Sequence, residues 1–295
     1  MQDLKGKVAF VTGASAGIGY ALAEGFANAG MRVMLAGINL QNLDGALDRL
    51  RAAGVTGERV QCDVASRASV ENAARATMEK FGKVHVVCNN AGVGMSGAIG
   101  TIPETDWEWV IRVNLMGVVH GTEIFAPLIE RHGEGGHIVN TSSVAGFLTG
   151  PGMEPYAATK AAVVAMSEGW RIQLAAKGIG VSVLCPGFVR TNIGRGHRNR
   201  PGGQRPSGNP EREAIMRQLL EDGMAPAMLA ARVLEAIRND ELYVFTHPEL
   251  KPAFEAHFDV VLEALDRAAQ SPALASHVPQ DLTALGIPRP APPAP

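Results

Sequence analysis

Cysteine is scarce in this chain. Cys62, Cys88 and Cys185 are far apart, odd in number, and each lies at or near the end of an apolar run. That pattern argues against a disulfide framework and for reduced thiols in a reducing compartment. The close Cys/His pairs of a zinc site are missing too, so no metal is expected. An excess of one charge is also lacking: 27 Lys and Arg face 29 Asp and Glu, for a formal net charge of −2. Nothing in that balance favours nucleic acid or an anionic membrane surface as a partner. The opening MQDLKGKVAFVTG has neither the basic start nor the long apolar stretch of a signal peptide. No run reaches the roughly 18 apolar residues of a membrane span. The expected setting is cytoplasmic. There is no internal repeat.

What is present suits a globular chain of one large α/β domain or two small ones. Of 295 residues, 46% are apolar and 19% charged, enough for a sizeable core. Apolar, β-rich runs at Val8–Val11, Arg32–Ala36, Arg59–Cys62, Val84–Cys88, His137–Asn140, Val181–Leu184 and Leu242–Phe245 alternate with helical patterns such as Ile18–Ala29, Leu40–Ala52 and Ser69–Phe81. Several runs are apolar on consecutive residues, as strands buried on both faces are. The alternation predicts an α/β doubly wound Rossmann fold, with a seven-stranded parallel sheet and helices on both faces. The expected domain spans 1–270, with a lid or loop at 194–225 and a helix at 249–270. A Pro-rich tail follows at 271–295. Within the lid, Gly194–Arg212 is rich in Gly, Pro and Arg and has no apolar periodicity. The helix over Leu250–Ala269 reads either as a cover for the sheet edge or as a subunit contact.

The first strand runs into Thr12-Gly13-Ala14-Ser15-Ala16-Gly17-Ile18-Gly19. Glycines let the backbone turn tightly and approach a pyrophosphate, and a following helix supplies free N–H groups. A tight strand–helix turn with no ligand is the bland alternative. Further along, Tyr156-Ala157-Ala158-Thr159-Lys160 places a tyrosine and a lysine four apart, on one helix face. A nearby ammonium favours phenolate and is expected to lower the tyrosine pKa toward neutrality. Such a pair alone is usually a solvated helix face.

Four more blocks stand in order around these two: Asn89-Asn90-Ala91-Gly92, Val113-Asn114-Leu115, Asn140-Thr141-Ser142-Ser143 and Pro186-Gly187-Phe188-Val189-Arg190-Thr191. Together they resemble the short-chain dehydrogenase/reductase family over about residues 5–245. The resemblance implies a catalytic set of Asn114, Ser143, Tyr156 and Lys160. Ser142 competes with Ser143, but thirteen residues from Ser143 to Tyr156 match the family spacing. It implies that Gly13, Ser15, Gly17, Ile18 and Gly19 line the pyrophosphate and ribose. Asp63 and Val64 would meet the adenine, and Asn90, Ala91 and Gly92 would run beneath its ribose. Asn90 either contacts the cofactor or braces the sheet. Pro186, Gly187, Val189 and Thr191 would hold the nicotinamide, and Tyr156 and Lys160 its ribose. Where NAD-preferring members carry an acid, this chain has Gly37, which removes a barrier to NADP. Ile38 does not supply the arginine common in NADP enzymes, and Asn39 can bond either ribose. The balance tilts to NADP(H) over NAD(H).

The activity implied is the interconversion of an alcohol and a ketone by hydride transfer. Met95, Phe147, Met153 and Phe188 beside Ser143 suggest a hydrophobic or aromatic substrate, although each also fits a core. Arg195, Arg198, Arg200 and Arg205 read as an anion grip or as a solvated loop. Asp106-Trp107-Glu108-Trp109 and Thr246-His247-Pro248-Glu249 are similar to a branch of bacterial dehydrogenases that oxidise benzylic alcohols of aryl ethers (Cα dehydrogenases). The family habit of pairing through the helices of Asn114 and Tyr156 implies a homodimer or homotetramer. The competing readings are a redox-inactive nucleotide-binding regulator on the same fold, and an isomerase, epimerase or dehydratase on a longer scaffold. The complete tetrad counts against the first. The short C-terminal remainder counts against the second.

Overall fold

The computed structural model describes residues 1–194, 200, 203, 210–278 and 280. One compact unit, Met1–Pro248, holds seven parallel strands: β1 (Val8–Thr12), β2 (Arg32–Gly37), β3 (Gly57–Gln61), β4 (Val86–Asn89), β5 (Gly136–Thr141), β6 (Ile179–Cys185) and β7 (Tyr243–Phe245). Their order in the sheet is β3-β2-β1-β4-β5-β6-β7, so the chain reverses direction across the sheet between β1 and β4. Helices α1 (Gly17–Asn28), α2 (Leu40–Ala52), α3 (Arg67–Phe81), α4 (Glu104–Val110), α5 (Gly117–His132), α6 (Glu154–Ala175), α7 (Pro210–Glu221) and α8 (Pro226–Asn239) surround it. Helices α1 and α8 pack with Val11, Leu35 and Val244 on one face, and α3 and α5 with Phe10, Val87 and Ile138 on the other.

The local reasons are plain. All five residues of β1 are buried, which explains its unbroken apolar run. Phe10 meets Phe125 of α5 with ring centroids 4.4 Å apart, and burying such a side chain stabilises by about 1.5–3 kcal/mol. Asn39 caps α2 by accepting from Asn42 N, and Ser66 caps α3 by accepting from Ser69 N. Gly82 and Gly133 end α3 and α5 in the left-handed region.

Three features differ from the sequence expectations. Part of the segment read as a lid or loop, 194–225, is the helix α7; its arginines 195, 198 and 205 lie outside the described residues. Asn114 sits in a π-helical turn, Ile111–Met116, between α4 and α5. The compact unit closes at Pro248, and a second unit, Glu249–Pro295, carries α9 (Lys251–Ala269). That helix has i,i+4 ion pairs Lys251–Glu255 and Glu263–Arg267. The Pro-rich segment 281–295 lies outside the described residues. Among the described residues no helix is long and apolar enough to cross a membrane.

Candidate active site

The C-terminal ends of β1 and β4 flank the reversal point, the crevice where open α/β sheets bind ligands. After β1, Gly13 and Gly17 have φ of +65° and +57°. A Cβ on Gly19 would stand 2.3 Å from Gly13 O, and one on Gly17 would stand 3.2 Å from Thr191 Cγ2. The loop is therefore a cradle that side chains would fill. Helix α1 opens at Ala16 with no side-chain cap, which leaves its first N–H groups available to a phosphate. Ser15 and Ile18 are partly buried along the same turn. A pyrophosphate fits this donor set.

The cradle is held from behind. Thr12 Oγ1 accepts from Asn90 N and Ala91 N at 2.9 and 3.0 Å, and Asn90 Nδ2 donates to Thr12 O at 2.9 Å. The Asn90 side chain thus braces the loop. The sequence marks Thr12 only by a lone hydroxyl at the end of an apolar strand. Asp63 is exposed at the end of β3 and caps Ala65 N, while Val64 is buried beneath. At Gly37 a Cβ would meet only Leu43 side-chain atoms at 3.6–3.8 Å. Asn39 has its carboxamide oxygen committed to Asn42 N. The one guanidinium reaching this loop among the described residues is Arg49 of α2. It donates to Ser15 O at 3.4 Å, lies over the Tyr20 ring at 4.4 Å, and pairs with no described carboxylate. Sequence periodicity places Arg49 on an outer helix face and carries no sign of this reach.

Around β5, β6 and α6 the structure brings Ser143, Tyr156 and Lys160 together. Ser143 lies 8% exposed, accepts from Ala145 N and donates to Pro186 O at 3.3 Å. Tyr156 is partly buried. Burial raises its pKa, and the Ser143 hydroxyl beside it pulls the other way. Lys160 is 3% exposed and donates to Thr141 O at 2.8 Å, with Nζ 5.5 Å from the Tyr156 ring centroid. Burial lowers its pKa to about 8, against an opposing influence from Cys185. The expected depression of Tyr156 by Lys160 is therefore corrected. The ammonium is turned to a carbonyl, and desolvation decides the direction for both groups. Asn114 is fully buried, accepting from Val93 N at 2.8 Å and donating to Val93 O at 2.9 Å. A Cβ on Gly92 would meet Asn114 Oδ1 at 3.4 Å and Lys160 Nζ at 3.7 Å, so all three groups are neighbours.

The Pro186–Thr191 turn follows β6. Pro186 O accepts from Val144 N, Gly187 N donates to His247 Nδ1, and Val189 bridges to Met224. Of the apolar substrate candidates, Phe188 is 38% exposed, whereas Met95 packs with Val93, Trp109 and Val110. Phe147 is partly buried against Phe245 with centroids 5.8 Å apart, and Met153 is partly buried at the start of α6. Arg200 donates to Asp106 at 2.5 Å, an ion pair rather than a free cation. At the opposite, N-terminal edge of the sheet, His85, His132 and Glu134 also converge. There each ring nitrogen already has a partner: Val8 N and Glu134 for His85, Glu134 N and Val84 O for His132.

Comparison with known proteins agrees with this architecture. The family model for short chain dehydrogenase matches residues 7–201. The C alpha-dehydrogenase of Sphingobium sp. strain SYK-6 is 33% identical over 90% of this chain and 88% of its own length. The CLA biosynthesis dehydrogenase/reductase of Lactiplantibacillus plantarum is 34% identical over 86% of this chain and 93% of its own length. The crystal structure of a short chain dehydrogenase/reductase from Burkholderia phymatum in complex with NAD superposes with a TM-score of 0.84 at 39% identity. It covers 89% of this chain and 97% of that one.

Proposed function

The chain belongs to the short-chain dehydrogenase family, and on that premise we propose an NAD(P)-dependent oxidoreductase that interconverts a secondary alcohol and a ketone. The observation that carries this reading is the convergence of Ser143, Tyr156 and Lys160 beside the glycine cradle. When bound, the nicotinamide cofactor supplies hydride donation and acceptance. Tyr156 is the general acid and base. Its raised pKa keeps the phenol protonated at neutral pH, ready to give its proton to a ketone oxygen. Ser143 orients that oxygen by hydrogen bonding. Lys160, held by Thr141 O, positions the cofactor ribose and replenishes the tyrosine proton, with Asn114 fixing the neighbouring backbone at Val93. The cofactor contacts we propose are those the family resemblance implies: Gly13, Ser15, Gly17, Ile18 and Gly19, which form the cradle, for the pyrophosphate, Asp63 and Val64 for the adenine, and Val189 and Thr191 for the nicotinamide.

For the cofactor we favour NADP(H) over NAD(H). Gly37 offers no carboxylate to repel a 2′-phosphate, and Arg49 offers a guanidinium at the loop with no carboxylate partner among the described residues. The NAD-bound relative weighs on the other side. For the substrate we favour a hydrophobic or aromatic alcohol. Phe188 supplies an open apolar face, and the resemblance to a C alpha-dehydrogenase points the same way. Ile111 and Met116 near Asn114, with Ile172 on α6, are exposed large apolar residues on the helices expected to pair. They support a homodimer or homotetramer, which sedimentation of the purified chain tests. The activity itself is tested by following NAD(P)H absorbance with a panel of aryl alcohols and ketones. Turnover confined to sugars or acyl thioesters would contradict the substrate reading, and no turnover of any alcohol or ketone would contradict the reaction class.

A further inference from the structure

His247, just beyond β7, has both ring nitrogens committed to the turn after β6. Gly187 N donates to Nδ1 at 3.1 Å, and Thr246 Oγ1 lies 2.8 Å from the same nitrogen. A main-chain N–H only donates, so Nδ1 carries a lone pair and the ring proton sits on Nε2. Nε2 then donates to Phe188 O at 3.1 Å. The same carbonyl accepts from Met224 N at 2.9 Å, where the chain returns from the 194–225 excursion. The fit is close: a Cβ on Gly187 would stand 2.8 Å from His247 Cγ.

The ring takes over where the sheet stops. Ladder pairing of β6 with β7 ends at Cys185 and Phe245. Next comes Pro186, which has no N–H to continue it. The imidazole provides the acceptor for the following amide, Gly187, and a donor for the carbonyl after that. On the other side of the turn, Pro186 O accepts from Ser143 Oγ and Val144 N. The turn is thus tied to the catalytic serine at one end and to His247 at the other.

We propose that His247 is a positioning residue for the nicotinamide half of the cofactor. It sets the path of the turn that presents Val189 and Thr191, and through Pro186 the placement of the Ser143 hydroxyl. The proposal rests on the reading of that turn as the nicotinamide seat. Because the pyrophosphate cradle lies on other elements and borders this turn only at Thr191 and Gly17, the effect falls mainly on one half of the dinucleotide.

The test compares H247A, H247N and T191V with the wild type. It measures KM for the preferred nicotinamide cofactor and the affinity for the matching ADP-ribose, which lacks nicotinamide. H247A should raise the cofactor KM roughly tenfold, the scale of losing one or two hydrogen bonds, and leave ADP-ribose affinity unchanged. H247N, whose carboxamide oxygen can stand in for Nδ1, should recover part of the loss. If H247A does not fold, H247N against wild type carries the same comparison, with a smaller expected shift. Equal losses for cofactor and ADP-ribose would overturn the proposal in favour of a general structural role, as would no loss for either. A cofactor defect in T191V with none in the His247 variants would overturn the clamp and leave the turn's reading standing. No cofactor defect in T191V, together with no preference of the wild type for cofactor over ADP-ribose, would overturn both.

Discussion

Ser142 Oγ donates to the main-chain carbonyl of Lys160 at 2.7 Å, while its neighbour Ser143 lies against Tyr156. Adjacent serines on an extended backbone point to opposite sides, so one braces the helix of the lysine and the other turns to Tyr156, where the proposed reaction needs a group to orient the substrate oxygen. S143A should therefore lower kcat by about 10²-fold or more, as loss of a transition-state hydrogen bond does. S142A should cost mainly stability, about 1 kcal/mol. Steady-state kinetics and melting curves on both variants separate the two roles.

Removing the phenol isolates the proton step. Y156F should lose about 10²- to 10⁴-fold in turnover yet keep nucleotide binding, because the cradle lies on other elements. Cofactor fluorescence titration beside the rate assay reads both quantities. Near-normal turnover would remove Tyr156 from the mechanism.

The two directions of reaction should respond oppositely to pH. Ketone reduction needs the protonated phenol, and Tyr156 has its pKa raised by burial. Reduction should hold steady through neutral pH and fall on the alkaline side. Oxidation needs phenolate and should rise with pH over the same range. Lys160, lowered to about 8, loses its charge as pH rises through that value, which should weaken ribose binding in both directions. Full pH profiles of kcat and kcat/KM check this.

Cofactor preference should yield to single changes near the β2 end. G37D has ordinary room beside Leu43 and should turn preference toward NAD by repelling a 2′-phosphate. R49Q should weaken NADP(H) about tenfold while leaving NAD(H) alone, the scale of one charge-assisted hydrogen bond. Equal effects on both cofactors would place Arg49 in packing with Tyr20 instead.

Stability should fall in mild acid because of His137. Its buried ring has a pKa lowered to about 4, chiefly by desolvation, while Nε2 donates to Ser182 Oγ at 2.8 Å. Unfolding restores a value of about 6.5, so the unfolded chain binds the extra proton between the two. Stability is complete above about 6.5 and declines toward 4, by up to about 3 kcal/mol. Thermal melts across that range should show the decline, and H137N should flatten it.

The amino-acid sequence by itself determined the strand–helix alternation, the glycine loop, and the spacing of Asn114, Ser143, Tyr156 and Lys160. These are local or periodic signals: consecutive apolar residues mark doubly buried strands, and i,i+4 spacing marks a helix face. It did not reveal the helix α7, because a Pro- and Arg-rich approach masks its start, nor the π-helical turn around Asn114. Only the tertiary structure decided how the polar atoms are spent. Asn90 braces Thr12, Asn39 caps α2, and Lys160 faces Thr141 rather than the Tyr156 hydroxyl. Arg49 reaches Ser15 across 34 residues and His247 holds Gly187 across 60. A hydrogen bond or a desolvation shift depends on which distant groups fill the space around an atom, and spacing along the chain carries no record of that.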